Sequence, residues 1–142
     1  MVPINLIAVI VAAVLTMVLG YIWYGPLFGK MWMRLMGVTQ ETMKAGNKGG
    51  AMAKMYILMF IGALLMAYML AHVLVYATAY ANAPGGLDSG VMAGFWVWLG
   101  FAAPITLNYA LTSNKSWKLW LINAGYYLVS LLMMGIVLAM WA

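Results

Sequence analysis

The sequence predicts an all-α integral membrane protein, a bundle of four helices that cross the bilayer up, down, up and down. Of its 142 residues, 68% are hydrophobic and 6% are charged, whereas soluble domains carry about 25% charged residues. The few charges also leave four uncharged stretches, each longer than the roughly 20 residues that cross a hydrocarbon core. Helices are favoured over strands because lipid cannot satisfy free backbone amides and four segments are too few to close a barrel.

A single domain is expected over residues 1–142. Gly and Pro lie largely at the ends of these stretches, which gives predicted spans of about 3–25, 51–79, 89–112 and 117–141, the second and fourth beginning shortly before Lys54 and Lys118. Residues 26–50 form the first connecting loop. Within it, Lys30 and Arg34 share one helical face while Trp32 supplies an apolar contact, which predicts a short amphipathic helix in the headgroup plane after the first span.

The cations lie in only two connections. Five follow the first span, and Lys115 and Lys118 separate the third span from the fourth. The positive-inside rule places both connections in the cytoplasm, so both termini and the loop that ends at Asp88 are predicted outside a multi-pass protein of the inner (plasma) membrane. Lys30, Arg34 and the two lysines of the third loop are the candidate contacts for anionic lipid headgroups. The cations are too sparse for nucleic-acid binding.

Several kinds of chemistry are disfavoured by what the sequence lacks. It contains no cysteine and one histidine, so it offers neither a thiolate site nor the three or four ligands of an ordinary zinc site. No metal or other cofactor is expected. No serine elbow, phosphate loop or dinucleotide fingerprint indicates an enzyme. The acids lie outside the predicted spans, which disfavours proton-coupled transport.

Small residues predict where the helices approach one another closely. A stripe with a spacing of four residues runs along the first helix, and Gly90 with Gly94 forms a small-xxx-small pair in the third. Trp98 falls near mid-membrane, where packing over the gap beside Gly94 accounts for it. Pro104 removes a backbone donor and predicts either a kink in the third helix or a loosening of its last two turns.

His72 is the only side chain with an ordinary pKa near neutrality. Two interpretations remain open. Paired with Asp88 across the outer interface, it would make a pH-sensitive contact. Otherwise it is a neutral imidazole hydrogen-bonded to a neighbouring helix, while Asp88 or Ser89 caps the third helix.

Uncharged polar side chains converge in the cytoplasmic half of the predicted bundle, and they form the candidate ligand site: Tyr24, Asn108, Asn123 and Tyr127. Asparagine in lipid is costly unless its amide has a partner. Asn108 and Asn123 are expected at similar depth on either side of a tight hairpin. Their amides then either bond each other and fix the helix register or line a small pocket.

Three stretches of the sequence resemble the signatures of one small bacterial membrane family, termed domain of unknown function family seventeen sixty-one. They are Trp23–Trp32, Trp98–Pro104 with Asn108, and Ile122–Ser130 with Met134-Gly135. The likeness runs nearly end to end. It implies a four-helix integral membrane protein of unassigned activity and no particular substrate. Members often carry a Phe-Glu-basic stretch after the third helix, where this chain has Thr112-Ser113-Asn114-Lys115.

The leading functional hypothesis is a homo-oligomeric binding or structural bundle, not an enzyme. Its partners would be membrane lipids, a small apolar ligand or a partner helix, held near Tyr24 and Asn123. The alternative is a carrier or channel subunit for a small neutral solute or ion. That alternative predicts a wet path from Asn123 through Ser130 toward His72.

Overall fold

The computed structural model describes residues 3–46, 50–80, 82 and 85–141. These residues are helical apart from short connections and include no strand, which confirms the all-α prediction. Residues 47–49 of the predicted loop lie outside the described part. Four helical stretches are long and apolar enough to cross a membrane, and we number them spans 1 to 4: Leu6–Leu27, Ala51–Ala79, Gly86–Thr112 and Trp117–Met140.

Spans 1 and 3 are each built from more than one element. Span 1 joins α1 to a π-helical turn, and span 3 inserts a π-helical turn between α5 and α6. The bounds are α1 Leu6–Ile22, first π-turn Trp23–Leu27, α2 Gly29–Met36, α3 Gln40–Gly46, α4 Ala51–Tyr80, α5 Gly86–Val97, second π-turn Trp98–Ala102, α6 Ala103–Thr112 and α7 Trp117–Met140. The short helix predicted after span 1 is α2.

The spans begin at capped ends. The Asn5 side chain accepts from two backbone N–H groups of the first turn of α1, and Ser116 does the same for one N–H group of α7. The start of α5 differs from the expected Asp or Ser cap, because the helix begins directly after Gly85, whose φ is 73°. Ser89 Oγ instead reaches back and accepts from the Gly85 N–H at 3.0 Å, while Asp88 lies in the first turn.

Each π-turn lies beside a proline. In span 1, Gly25 leaves the helical region (φ −105°, ψ −106°) immediately before Pro26. In span 3, the second π-turn precedes Pro104, which stands in the first turn of α6. The irregularity is therefore on the N-terminal side of Pro104, and α6 continues to Thr112. The reason is that proline lacks the N–H that would bond the Gly100 carbonyl and crowds that same carbonyl with its ring.

Span 4 packs against all three other spans, since α7 contacts α1, α4, α5 and α6. The approach of α5 to α7 depends on glycine, as the sequence predicted. A Cβ added to Gly94 would lie 2.5 Å from the Leu131 carbonyl oxygen, and one added to Gly90 would lie 2.7 Å from the carbonyl carbon of Gly135. Glycine lets the two backbones meet there, as in other close membrane-helix pairs.

The core is formed mainly by small residues of spans 1 and 2 and larger ones of span 4. Its buried members are Ala8, Val9, Ala12, Ala13, Ala63, Ala67, Leu70, Ala71, Leu74, Leu131, Met134 and Leu138. Large apolar side chains point outward, including Ile61 and Leu65, which are 47% and 60% exposed. An apolar exterior of this kind is compatible with a lipid environment.

Candidate functional site

Two of the predicted site residues meet near the end of the bundle that carries most of the lysines, which we call the cationic end. The Tyr24 hydroxyl donates to Asn123 Oδ1 at 2.8 Å, and this bond joins the first π-turn to α7. The Tyr24 ring lies edge-on to Trp32 of α2 and to Tyr126 of α7, with centroids 5.8 and 5.2 Å away. The change of direction after span 1 is what brings α2 back onto this ring.

Asn108 lies elsewhere. Its side chain is exposed and makes no hydrogen bond with the described residues. The contact of Gly90 with Gly135 sets a register that puts Asn108 level with the first turn of α7, about six residues or ~9 Å from Asn123 along the axis. The two amides are therefore not at similar depth, although the third span ends at Thr112 and the fourth begins at Trp117, as predicted.

The remaining predicted residue, Tyr127, is half-buried beside a tyrosine that the sequence analysis did not select. Its ring lies edge-on to that of Tyr126, with centroids 5.3 Å apart. Tyr126 is buried and its hydroxyl donates to the Thr16 carbonyl at 3.3 Å. Two features point to Tyr126. It lies three residues after Asn123 on the same face of α7, and Gly20 of α1 lies opposite, where an added Cβ would be 3.1 Å from the Tyr126 hydroxyl. We call Tyr24, Trp32, Asn123, Tyr126 and Tyr127 the aromatic cluster.

Two tryptophans, one from each π-turn, hold span 4 beside this cluster. Trp23 Nε1 donates to the Ile122 carbonyl at 3.0 Å, and Trp98 Nε1 donates to the Ala124 carbonyl at 2.7 Å. Trp98 thus makes a hydrogen bond in addition to the packing that the sequence suggested. Asn123 Oδ1 and the neighbouring Ile122 and Ala124 carbonyls therefore have partners within the protein, which favours a role of this region in holding the helices together.

The centre of the bundle is apolar and closely packed. Leu131 and Met134 are 3% and 0% exposed. The Ser130 side chain is also fully buried, and its hydroxyl oxygen has no hydrogen-bond partner in the described part of the chain. A layer of closely packed, buried side chains thus separates the aromatic cluster from the opposite end of the bundle.

The structure does not bring His72 and Asp88 together. His72 Nδ1 lies 2.9 Å from the Tyr68 carbonyl, one turn earlier on its own helix. Since a carbonyl oxygen only accepts, the proton is on Nδ1. The imidazole also lies edge-on to the Tyr68 ring at 4.5 Å. Asp88 is exposed in the first turn of α5, where its charge is favourable to the helix dipole.

The four predicted headgroup contacts lie at or near the surface. Lys30, Arg34 and Lys118 are exposed, and Lys115 is half-buried. Within residues 3–46, 50–80, 82 and 85–141 none of them forms an ion pair with an acid. Their charges are thus directed to the surroundings of the protein.

A cavity of about 690 Å³ opens at the other end of the bundle, near Asn5 and Trp141, and the sequence analysis did not predict it. All four spans contribute to its lining: Pro3, Ile4, Asn5, Ala8, Ala71, Leu74, Val75, Thr78, Ala79, Gly85, Gly86, Ser89, Leu138, Ala139 and Trp141. Ala8, Ala71, Leu74 and Leu138 form a buried floor. The volume lies in the range of about 300–1,000 Å³ typical of small-molecule sites.

Few polar groups of the described residues line this cavity, and none of them is charged. Asn5 Nδ2 donates to the Trp141 carbonyl at 3.0 Å, which joins the start of span 1 to the end of span 4. The Thr78 hydroxyl donates to the Leu74 carbonyl at 3.0 Å. Ser89 is buried at the rim of span 3. Apolar walls with a few directed polar groups are the usual composition of a ligand site.

The family model described as Protein of unknown function (DUF1761) matches residues 7–139. The chain belongs to the DUF1761 family. This confirms the family resemblance carried by the three sequence stretches. No curated protein and no solved structure matches the chain.

The DUF1761 match covers the whole aromatic cluster and most of the cavity wall, leaving out only lining residues at the two ends of the chain: Pro3, Ile4, Asn5 and Trp141. The two regions differ in what they offer a ligand. In the cluster, the Tyr24 hydroxyl and Asn123 Oδ1 already bond each other. The cavity provides space beside a few polar groups, and it is the better candidate site of this DUF1761 protein.

Proposed function

We propose that this protein is a membrane-embedded binding protein that takes the chain of a lipid or a small apolar molecule into the cavity near Asn5. The observation that carries the proposal is the cavity of about 690 Å³ between the ends of all four spans. A ligand gains little free energy by moving from lipid to an equally apolar wall. Its affinity would therefore come from the fit of its shape and from hydrogen bonds to the polar rim.

The proposed orientation has four spans running up, down, up and down in the inner membrane, with both termini outside. It rests on the positive-inside rule applied to the loops that carry Lys30 and Lys115. The cavity then opens to the outer leaflet, where a lipid tail or an apolar solute enters from the bilayer. Lys30, Arg34, Lys115 and Lys118 would contact anionic headgroups on the cytoplasmic side.

The aromatic cluster would serve as a structural anchor for this binding protein. Tyr24 bonds Asn123 at 2.8 Å, and Trp23 bonds the Ile122 carbonyl at 3.0 Å. Interhelical hydrogen bonds of this kind contribute on average about 0.6 kcal/mol and at most about 1.7 kcal/mol each. They would hold spans 1 and 4 in register while the opposite ends of the spans frame the cavity.

The packing favours binding over the carrier or channel alternative. Conduction needs a wet path from Asn123 through Ser130 toward His72. Met134 is 0% exposed and Leu131 3% exposed at that level of the bundle. Side chains thus fill the region through which a solute would pass.

Photolabelling in phosphatidylcholine nanodiscs tests the proposal. The probe is an uncharged alkyl chain that carries a diazirine, and the labelled peptides are identified by mass spectrometry. Ala79 lies on the exposed rim of the cavity, so Ala79→Phe narrows the mouth without disturbing the core. Ala53→Phe is the matched control, an exposed position at the other end of the same helix.

We expect labelling concentrated on cavity peptides in the wild type and in Ala53→Phe, and reduced several-fold in Ala79→Phe. Labelling that is spread evenly over the lipid-facing surfaces and is insensitive to Ala79→Phe would overturn the proposal.

A further inference from the structure

We propose that the cavity selects an uncharged ligand whose polar head is a hydrogen-bond acceptor, such as the carbonyl of an ester. The inference rests on the proposed function and adds the chemical class of the ligand. It is based on the charges near the cavity and on which polar hydrogen atoms at its rim already form hydrogen bonds.

A charged head is disfavoured because no lysine, arginine, aspartate or glutamate stands among the described residues that line the cavity. A charge placed against apolar walls without a partner carries a large desolvation penalty. The cationic end lies on the far side of the buried apolar core and carries the cations Lys30, Arg34, Lys115 and Lys118. Asp88, next to the rim residue Ser89 in sequence, would in addition repel a carboxylate or phosphate.

Among the described side chains of the rim, the spare hydrogen-bonding capacity is mainly that of donors. Ser89 is 8% exposed, and its oxygen already accepts from the Gly85 N–H at 3.0 Å. Its own hydroxyl hydrogen donates to no acceptor among the described residues. Asn5 Oδ1 accepts from two N–H groups of α1, and one hydrogen of Nδ2 is used on the Trp141 carbonyl. The second Nδ2 hydrogen remains.

Thr78 can only accept a further hydrogen bond, because its hydroxyl already donates to the Leu74 and Val75 carbonyls. It retains lone pairs but lies on the exposed side of the rim. Among the described residues of the rim, the buried side chain with an unused hydrogen is thus Ser89, and a donor there matches a ligand atom that only accepts. A carbonyl oxygen is such an atom, and it carries no hydrogen that would itself need an acceptor.

Competition for the photolabel measures this selectivity. Dodecyl acetate and an alkane of matched length are titrated into nanodiscs that contain the wild-type protein and the diazirine probe. One net hydrogen bond predicts that the ester displaces the probe about five-fold better than the alkane. Dodecanoate and dodecylamine, charged at pH 7, are expected to compete less well than the ester.

Ser89→Ala removes the donor, so the ratio of ester to alkane competition should fall to about one. Ser116→Ala is the matched control, since Ser116 also accepts a backbone N–H at a helix start but lies outside the cavity. Its ratio should stay at the wild-type value. Ser89→Cys retains a side chain of similar shape with a weaker donor, and it should give an intermediate ratio even if Ser89→Ala does not fold.

The two proposals fail in different ways. If ester and alkane displace the probe equally from the wild type, the inference about the head is wrong while binding in the cavity stands. If neither displaces it, the proposed function fails as well. An unchanged ratio in Ser89→Ala or in Ser89→Cys would also overturn the role of this hydroxyl.

Discussion

Gly94→Ala should destabilise the protein by forcing apart the two helices that pack most closely. The added Cβ would lie 2.5 Å from the Leu131 carbonyl oxygen and 2.8 Å from its carbon, whereas ordinary contact begins at 3.4 Å. The shortfall is therefore about 0.9 Å against backbone, which cannot rotate away as a side chain would. Overpacking of this kind costs roughly 1–3 kcal/mol, and about 0.5–1 kcal/mol is recovered because alanine favours the helix more than glycine.

Gly62→Ala provides the matched control. Gly62 lies inside α4, where an added Cβ meets no atom within 4 Å. This variant should therefore gain roughly 0.5–1 kcal/mol from helix propensity alone. The two substitutions add the same methyl group to helices of the same protein, and their free energies of unfolding should move in opposite directions.

Equilibrium unfolding in mixed micelles of a mild detergent and sodium dodecyl sulfate measures both effects through the helical circular dichroism signal. We expect a net loss of about 1–2 kcal/mol for Gly94→Ala. If Gly94→Ala were as stable as Gly62→Ala, the close approach of α5 to α7 would be refuted, and with it the register used to place Asn108 and Asn123.

Two further predictions concern single hydrogen bonds, and a third tests the membrane topology. Tyr24→Phe removes the bond to Asn123 and should lower the unfolding free energy by about 0.6–1.7 kcal/mol; no loss would mean that this bond does not hold spans 1 and 4. Trp98→Phe removes the indole donor to the Ala124 carbonyl and should be more destabilising than Trp96→Phe, whose side chain is 57% exposed. Because the chain has no cysteine, Lys44→Cys and Asp88→Cys test the topology: an impermeant maleimide added to intact cells should label only the second, and the reverse pattern would refute the orientation.

The four apolar helices were predictable because charge and length dominate when lipid is the solvent. The second span has the bounds 51–79 in both the prediction and the structure, and the fourth differs only at its last residue, Met140 rather than Trp141. Span 3 begins three residues earlier than expected, at Gly86. The sequence analysis placed a polar cap there, whereas two glycines with positive φ, Gly85 and Gly86, begin the helix without one.

The pairing of polar side chains was less predictable, because it depends on helix register. Asn123 was correctly singled out as a polar residue within a span, but its partner is Tyr24 rather than Asn108. The bounds Thr112 and Trp117 were predicted, but they do not give the register of spans 3 and 4, which follows from the close contacts of Gly90 with Gly135 and of Gly94 with Leu131. The hydrogen bond of Trp98 follows from the same register.

The cavity was missed for a different physical reason. In a soluble protein polarity separates inside from outside, but here both sides are apolar, and residue size carries more of the information. Ala12 and Ala67 are buried at 0% exposure, while Leu65 is 60% exposed. Small side chains let the spans touch at mid-bundle. Where the spans end, the same small side chains leave a gap that no other described residue fills, and residues such as Ala8 and Ala139 line it. In a chain of this type, small residues at the same end of every span are therefore a better indication of a ligand cavity than polar residues within the spans.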